Sequence, residues 1–178
     1  SRPIDFKKFD FIYAGVQKNL GPAGVVLIVA KKSMLEKSPD ALPTMFKYNT
    51  FLKKDSLYNT PPAFCIYMVG KTAAWIKKQG GLEEMAKRNK KKADLLYNVI
   101  DASNGFYNGH ADKDSRSFMN VTFRLPTEEL EKKFIAEALE HELSGVKGHR
   151  SVGGMRASIY NAMPYEGVQA LCDFMESF

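Results

Sequence analysis

Phe11-Ile12-Tyr13-Ala14-Gly15-Val16-Gln17-Lys18-Asn19-Leu20-Gly21-Pro22-Ala23-Gly24, followed at once by Val25-Val26-Leu27-Ile28-Val29-Ala30, is the stretch around which this chain is organised. Residues 11–15 and 25–30 are short, unbroken apolar runs. Strands buried on both faces read this way, and such strands belong mostly to parallel or mixed sheets covered by helices. The pattern therefore predicts an α/β fold. Two strands cannot complete such a sheet, so their partners must lie later in the chain or elsewhere. Between the runs, glycine and proline make a tight turn with Lys18 inside it. A lysine held between buried strands is partly desolvated, and its amine can serve as a nucleophile. A surface lysine at a hairpin tip would show the same residues.

Outward from that stretch, residues 31–59 are irregular, broken by Pro39 and Pro43. Long connections of this kind are often functional. Thr60, before Pro61-Pro62, is expected to cap a helix that Gly80-Gly81 stops. Phe64, Ile66, Tyr67, Val69, Ala73, Ala74 and Ile76 make that helix apolar on most sides early on, so its first half is expected to be buried. A second helix is predicted over 82–102, with Leu82, Met85, Ala86, Ala93, Leu96 and Ile100 on one face and Asn104-Gly105 at its end. The character of the chain changes along this helix, which suggests two domains, residues 1–95 and 96–178. In the second, Met119, Val121, Phe123 and Leu125 alternate with Asn120, Thr122 and Arg124, as in a half-buried antiparallel strand. Thr127 then opens a helix with acids in its first turn. A further strand over 155–160 and a last helix from about Tyr165 complete a small α+β arrangement.

Composition narrows the function classes. Of 178 residues, 44% are hydrophobic and 12% aromatic, enough for a real core. The formal charge of +6 is concentrated in Lys87-Arg88 and Lys90-Lys91-Lys92, on the polar face of the second helix. No interleaved aromatics or binding motif accompany it, so no nucleic-acid partner is expected. No apolar run reaches membrane-spanning length and no signal peptide opens the chain, so no membrane partner is expected either. Cys65 and Cys172 have no metal-ligand spacing and read as buried thiols of a reducing, cytoplasmic setting. The start at Ser1 reads as a processed chain, a cut chain or a fragment.

Two stretches look built for anions. Gly148-His149-Arg150 with Gly153-Gly154 and Arg156 places two arginines and a histidine within eight residues, on a glycine-rich loop and the strand after it. Arginine suits carboxylate and phosphate through paired hydrogen bonds, so the two arginines could hold one substrate at both ends. Pairing with surface acids is the alternative. Asn59-Thr60, at the expected helix N-terminus, offers either a phosphate site or a plain cap.

Tyr13–Gly24, Leu57-Tyr58-Asn59-Thr60-Pro61-Pro62 and Gly148-His149-Arg150-Ser151-Val152-Gly153-Gly154-Met155-Arg156-Ala157-Ser158 together, in this order, resemble the signatures of the phosphoserine aminotransferases. Asn104-Gly105-Phe106-Tyr107 and Ile159-Tyr160-Asn161-Ala162-Met163-Pro164 fit the same family. The resemblance implies a class V, fold-type-I enzyme dependent on pyridoxal 5'-phosphate. This chain would be its C-terminal half: the end of the large-domain mixed sheet plus a small α+β domain. Lys18 would carry the cofactor as a Schiff base and then move the substrate proton. Gln17 would contact the cofactor phosphate, and Asn59 and Thr60 would reach the neighbouring subunit's cofactor phosphate across a homodimer. His149 and Arg150 would bind the substrate phosphate, and Arg156 its α-carboxylate. No metal is implied. The reaction would convert glutamate and 3-phosphohydroxypyruvate to 2-oxoglutarate and phosphoserine, in serine biosynthesis. Family members are about twice this length, as two-domain enzymes are. The missing N-terminal half would carry the glycine-rich phosphate loop, the aromatic that stacks on the ring and the aspartate that pairs with its nitrogen. This chain alone is therefore expected to be inactive. The alternatives are another class V enzyme and a non-catalytic half that docks to a separate N-terminal half.

Overall fold

Gly80, left-handed at φ 100°, separates two long helices. In the computed structural model, which describes residues 2–178, it also opens the second of two packed units: residues 3–79, and residues 80–178 with Arg2. Whereas the sequence pattern suggested a boundary at 95/96, the packing divides the chain at 79/80. The second helix is the reason, since it buries Met85, Asn89, Lys92, Ala93, Leu96, Tyr97 and Ile100 within the C-terminal unit. Among the described residues no helix is long and apolar enough to cross a membrane.

In residues 3–79 the two apolar runs become strands β1 (Phe11–Gly15) and β2 (Val26–Ala30). They pair antiparallel, from Phe11↔Ala30 to Gly15↔Val26, as a two-stranded sheet. Short helices α1 (Lys32–Leu35) and α2 (Tyr48–Leu52) follow, then α3 (Ala63–Lys78). The expectation of two-sided burial fails within this chain. Val26, Leu27, Ile28 and Val29 are exposed, Tyr13 is 73% exposed, and Phe64, Ile66 and Tyr67 of α3 also face outward. Among the described residues of this unit only Val16 and Ile76 are buried. A lone hairpin and one long helix have too little surface to cover each other's apolar faces, and two strands rarely suffice for a stable layer. Cys65, expected to be buried, is only partly so; its thiol lies 3.4 Å from the Ala23 carbonyl oxygen.

Residues 80–178 have a complete core. Helix α4 (Gly81–Ala102) leads into a three-stranded antiparallel sheet of order β3-β4-β5: β3 (Asn108–Gly109), β4 (Asn120–Arg124) and β5 (Met155–Ser158). Helix α5 (Glu128–Glu140) joins β4 to the β5 region, and α6 (Tyr165–Ser177) ends the chain. The alternation in β4 and β5 works as the pattern predicts. Val121, Phe123, Met155 and Ala157 are buried on one face, while Thr122 and Arg156 pair across the other. Thr127 caps α5, its hydroxyl accepting from the Leu130 N–H. Phe134 on α5 has no exposed surface and meets Tyr107 and Phe123 edge-on, at centroid distances of 6.1 and 5.9 Å. Edge-to-face pairs of this kind add about 0.5–1.5 kcal/mol each beyond their buried area.

Two polar groups tie this core together. Tyr107 donates its buried hydroxyl to the Met175 carbonyl at 2.7 Å. Lys92, which the sequence placed on a solvated face, is 3% exposed. Its ammonium donates to the carbonyls of Ile159 (3.2 Å), Tyr160 (2.6 Å) and Met163 (2.9 Å). Burial lowers its pKa from the ordinary lysine range. The neighbouring Asn89 bonds to Asn161 at 2.8 Å. Together they pin the segment after β5 onto α4.

Burial pushes the Tyr107 hydroxyl and the Cys172 thiol each up to about 12, from ordinary values of 10.0 and 9.0. Both groups keep their protons in the folded state at pH values where the unfolded chain has lost them. Their stabilisation is therefore complete below pH 9 and is lost as pH rises towards 12. In that window each group lowers stability by about 1.4 kcal/mol per pH unit at full effect. Urea unfolding followed by circular dichroism should show this fall, and Tyr107→Phe should reduce its slope above pH 10. An unchanged slope would place Tyr107 in contact with water.

Candidate functional site

Lys18 lies in the turn between β1 and β2. The chain reverses there through a bridge between Gln17 and Gly21, with the Val16 N–H donating to Val25 O at 3.1 Å and the Leu20 N–H to Val16 O at 3.2 Å. Val16, 1% exposed, anchors the turn from below. Within this frame Lys18 sits at φ 76°. Left-handed backbone at a residue with a long side chain costs on the order of 1 kcal/mol and persists only where its surroundings impose it. The Lys18 side chain is exposed and makes no hydrogen bond or ion pair among the described residues. Gly21 fits against Val69 of α3, where an added Cβ would stand 3.2 Å from Val69 Cγ2. Gly15, by contrast, has nothing within 4 Å of where a Cβ would stand.

Asn59 and Thr60 occupy a separate exposed loop of the same unit. Asn59 donates its side-chain amide to the Thr60 carbonyl at 3.1 Å. Thr60 is not the helix cap: α3 begins at Ala63 with Pro62 at the cap position and no side-chain cap bond. Two successive prolines hold the chain extended past Thr60, which keeps the helix from starting there. No hydrogen bond or ion pair among the described residues joins Asn59 or Thr60 to the Lys18 turn.

His149 and Arg150 lie on the loop that enters β5. The loop is closed by Gly148 N–H to Gly154 O at 2.7 Å, and by the Val152 and Gly153 N–H groups on His149 O at 2.9 and 2.8 Å. A Cβ at Gly148 would stand 2.0 Å from the Gly153 oxygen, so only glycine allows this closure. The Ser151 backbone N–H donates to His149 Nδ1 at 3.3 Å, with the Ser151 hydroxyl 2.7 Å from the same atom. With Nδ1 accepting, the neutral ring carries its proton on Nε2, which is left free to donate outward. Both His149 and Arg150 are exposed at a cleft of about 500 Å³ between the loop and α5.

Arg156 stands on β5, paired with Thr122 on the polar face of the sheet. It does not line the cleft shared by His149 and Arg150. Its Nε is buried with no hydrogen-bond partner among the described residues. An unmet buried donor costs about 1–3 kcal/mol. The sequence pattern did not single out Arg124 or Glu131. Arg124 donates from Nε to Glu131 Oε1 at 2.6 Å and from Nη1 to Val152 O at 3.1 Å. Alternation marked Arg124 only as a solvent-facing strand residue, and nothing in the spacing of Glu131 foretold its burial.

This chain belongs to the class-V aminotransferase family, whose model matches residues 1–171. It is 63% identical, over its whole length, to a phosphoserine aminotransferase of Desulfatibacillum aliphaticivorans, 49% of which is covered. The fold matches a phosphoserine aminotransferase from Bacillus circulans subsp. alkalophilus at a TM-score of 0.95 and 55% identity, covering 99% of this chain and 49% of that one. It matches a PLP-bound phosphoserine aminotransferase from Trichomonas vaginalis at 0.91 and 37%, covering 98% and 50%. The chain thus spans about half the length of the relatives it matches, and its fold is part of an α/β PLP-transferase fold.

Gly148→Ala should open the His149–Arg150 loop and destabilise the protein by about 1–3 kcal/mol, seen as a lower melting temperature in calorimetry. An unchanged melting temperature would mean that the loop closes some other way.

Proposed function

We propose that this chain is the C-terminal half of a phosphoserine aminotransferase and works with an N-terminal half, as a homodimer, in cytoplasmic serine biosynthesis. The observation that carries this reading is Lys18: a lysine strained into left-handed backbone, with an uncommitted amine, on a turn between two strands. Backbone strain at a long side chain is a pointer to function. The exposed apolar faces of β2 and α3 support the need for a complementary half.

The residues fit pyridoxal phosphate. Lys18 offers a free primary amine, Gly15 leaves room beside the backbone, and Gln17 offers an amide donor. When bound, the cofactor supplies the conjugated ring that takes up the electron pair left by the departing substrate proton. Lys18 Nζ holds the cofactor at rest and, once freed, moves that proton as a base. Gln17 steadies the cofactor phosphate, and Asn59 and Thr60 serve the phosphate of the neighbouring subunit. At the substrate, Arg156, on the polar face of the sheet, pairs with the α-carboxylate. His149, through Nε2, and Arg150 take the phosphate of phosphoserine or 3-phosphohydroxypyruvate. Glutamate and 2-oxoglutarate share the Arg156 contact but bring a singly charged γ-carboxylate, not a phosphate, to the other end. One substrate with two anionic ends thus meets two separate cationic sites.

In the full-length protein, Lys18→Ala should abolish the visible-edge absorbance of bound pyridoxal phosphate and lower turnover by at least about a thousandfold. Retention of both would remove Lys18 from the site. Arg156→Ala should raise KM for glutamate and phosphoserine alike, by about tenfold or more, while Arg150→Ala should raise it much more for phosphoserine than for glutamate. Equal losses in both variants would refute the division between the two ends.

A further inference from the structure

Arg124 closes β4 directly beneath the loop that carries His149 and Arg150. Its Nε donates to Glu131 Oε1 at 2.6 Å, and its Nη1 donates to Val152 O at 3.1 Å, inside the loop. The loop lies against the rest of the side chain. Gly153 and Gly154 are both left-handed, at φ 75° and 64°. A Cβ at Gly154 would stand 2.4 Å from Arg124 Cδ and 2.7 Å from Phe123 O; one at Gly153 would stand 3.4 Å from Arg124 Nη1. The two glycines are therefore the space that Arg124 fills. Glu131 braces the arrangement: it is 7% exposed, and the same Oε1 lies 3.4 Å from the Leu125 N–H. The pair turns towards the cleft of about 500 Å³ that His149, Arg150, Lys132 and Lys147 also line.

The carboxylate of Glu131 neutralises the guanidinium, so Arg124 adds little net charge to the cleft. What it supplies is shape, since its planar fork joins the buried helix residue to the loop backbone in a way a lysine cannot reproduce. We propose that Arg124, braced by Glu131, is a positioning residue that sets preference for a phosphorylated substrate by holding residues 148–154 in the form that lets His149 and Arg150 converge on one phosphate. This rests on the phosphate reading of His149 and Arg150 given above. Small displacements of such a loop translate into large losses, because two donors must reach one anion together.

The test uses full-length, cofactor-loaded enzyme with the variants Arg124→Gln, Arg124→Lys, Glu131→Gln and the double variant Arg124→Gln/Glu131→Gln. His149→Ala and Arg150→Ala serve as controls. KM for phosphoserine and for glutamate is measured separately, and the Kd for inorganic phosphate by calorimetry. Arg124→Gln should raise the phosphoserine KM and the phosphate Kd by about tenfold, with the glutamate KM moving by less than about twofold. Arg124→Lys, which keeps the ion pair and loses the fork, should recover part of the loss. The double variant should be no worse than Arg124→Gln, since the two residues act as one unit. A parallel rise in both KM values, or an unchanged phosphoserine KM in Arg124→Gln, overturns the proposal. If His149→Ala and Arg150→Ala also leave the phosphoserine KM unchanged, the phosphate reading of the loop fails with it. If they raise it and Arg124→Gln does not, only the positioning role fails.

Discussion

The reversal between Val16 and Val25 forces Lys18 into left-handed backbone, and the candidate chemistry depends on that constraint. The Gln17–Gly21 bridge and the buried Val16 side chain leave the residue between them no extended alternative. Gly21 packs on Val69 with no space for a Cβ to spare, which ties the turn to α3. A residue held against its own preference does not drift. Its amine projects from one fixed origin, as the role proposed for Lys18 requires.

The two units pose opposite packing problems. Residues 80–178 enclose a core around Phe134, with Tyr107 and Phe123 edge-on to it and Lys92 sewing the segment after β5 to α4. This unit presents its loops from a rigid base, so the His149–Arg150 loop is set by backbone closure at Gly148 and by Arg124 beneath it. Residues 3–79 contain the lysine turn but bury only Val16 and Ile76. Strand β2, Tyr13 of β1 and the early part of α3 meet water. Exposed apolar surface of this kind marks an interaction face.

What the sequence made legible follows from the range of each interaction. Alternation in 119–125, the Thr127 cap, and the Asn104-Gly105 stop depend on neighbours within a few residues, and all three recur in the structure. The motif order from Lys18 to Arg156 was legible as well, and the family match spans it. The exposure of β2 and of the early part of α3 is not legible in the sequence, because an apolar run reports what a strand prefers to touch and not what covers it. Lys92 was misread because helical spacing gave it to the polar face, whereas three carbonyls from residues 159–163 draw it inward. Thr60 failed as a cap because the two prolines after it delay the helix to Ala63. Arg124 and Glu131 follow no helical or strand period: they pair across the turn from β4 into α5, and Arg124 also reaches Val152, far along the chain.

The most direct measurement is chemical. The full-length protein is loaded with pyridoxal phosphate, reduced with borohydride, digested, and its peptides are weighed by mass spectrometry. The phosphopyridoxyl group should be found on Lys18 in near-stoichiometric yield. Its appearance on another lysine, Lys31 or Lys32 for example, or on none, would contradict the account.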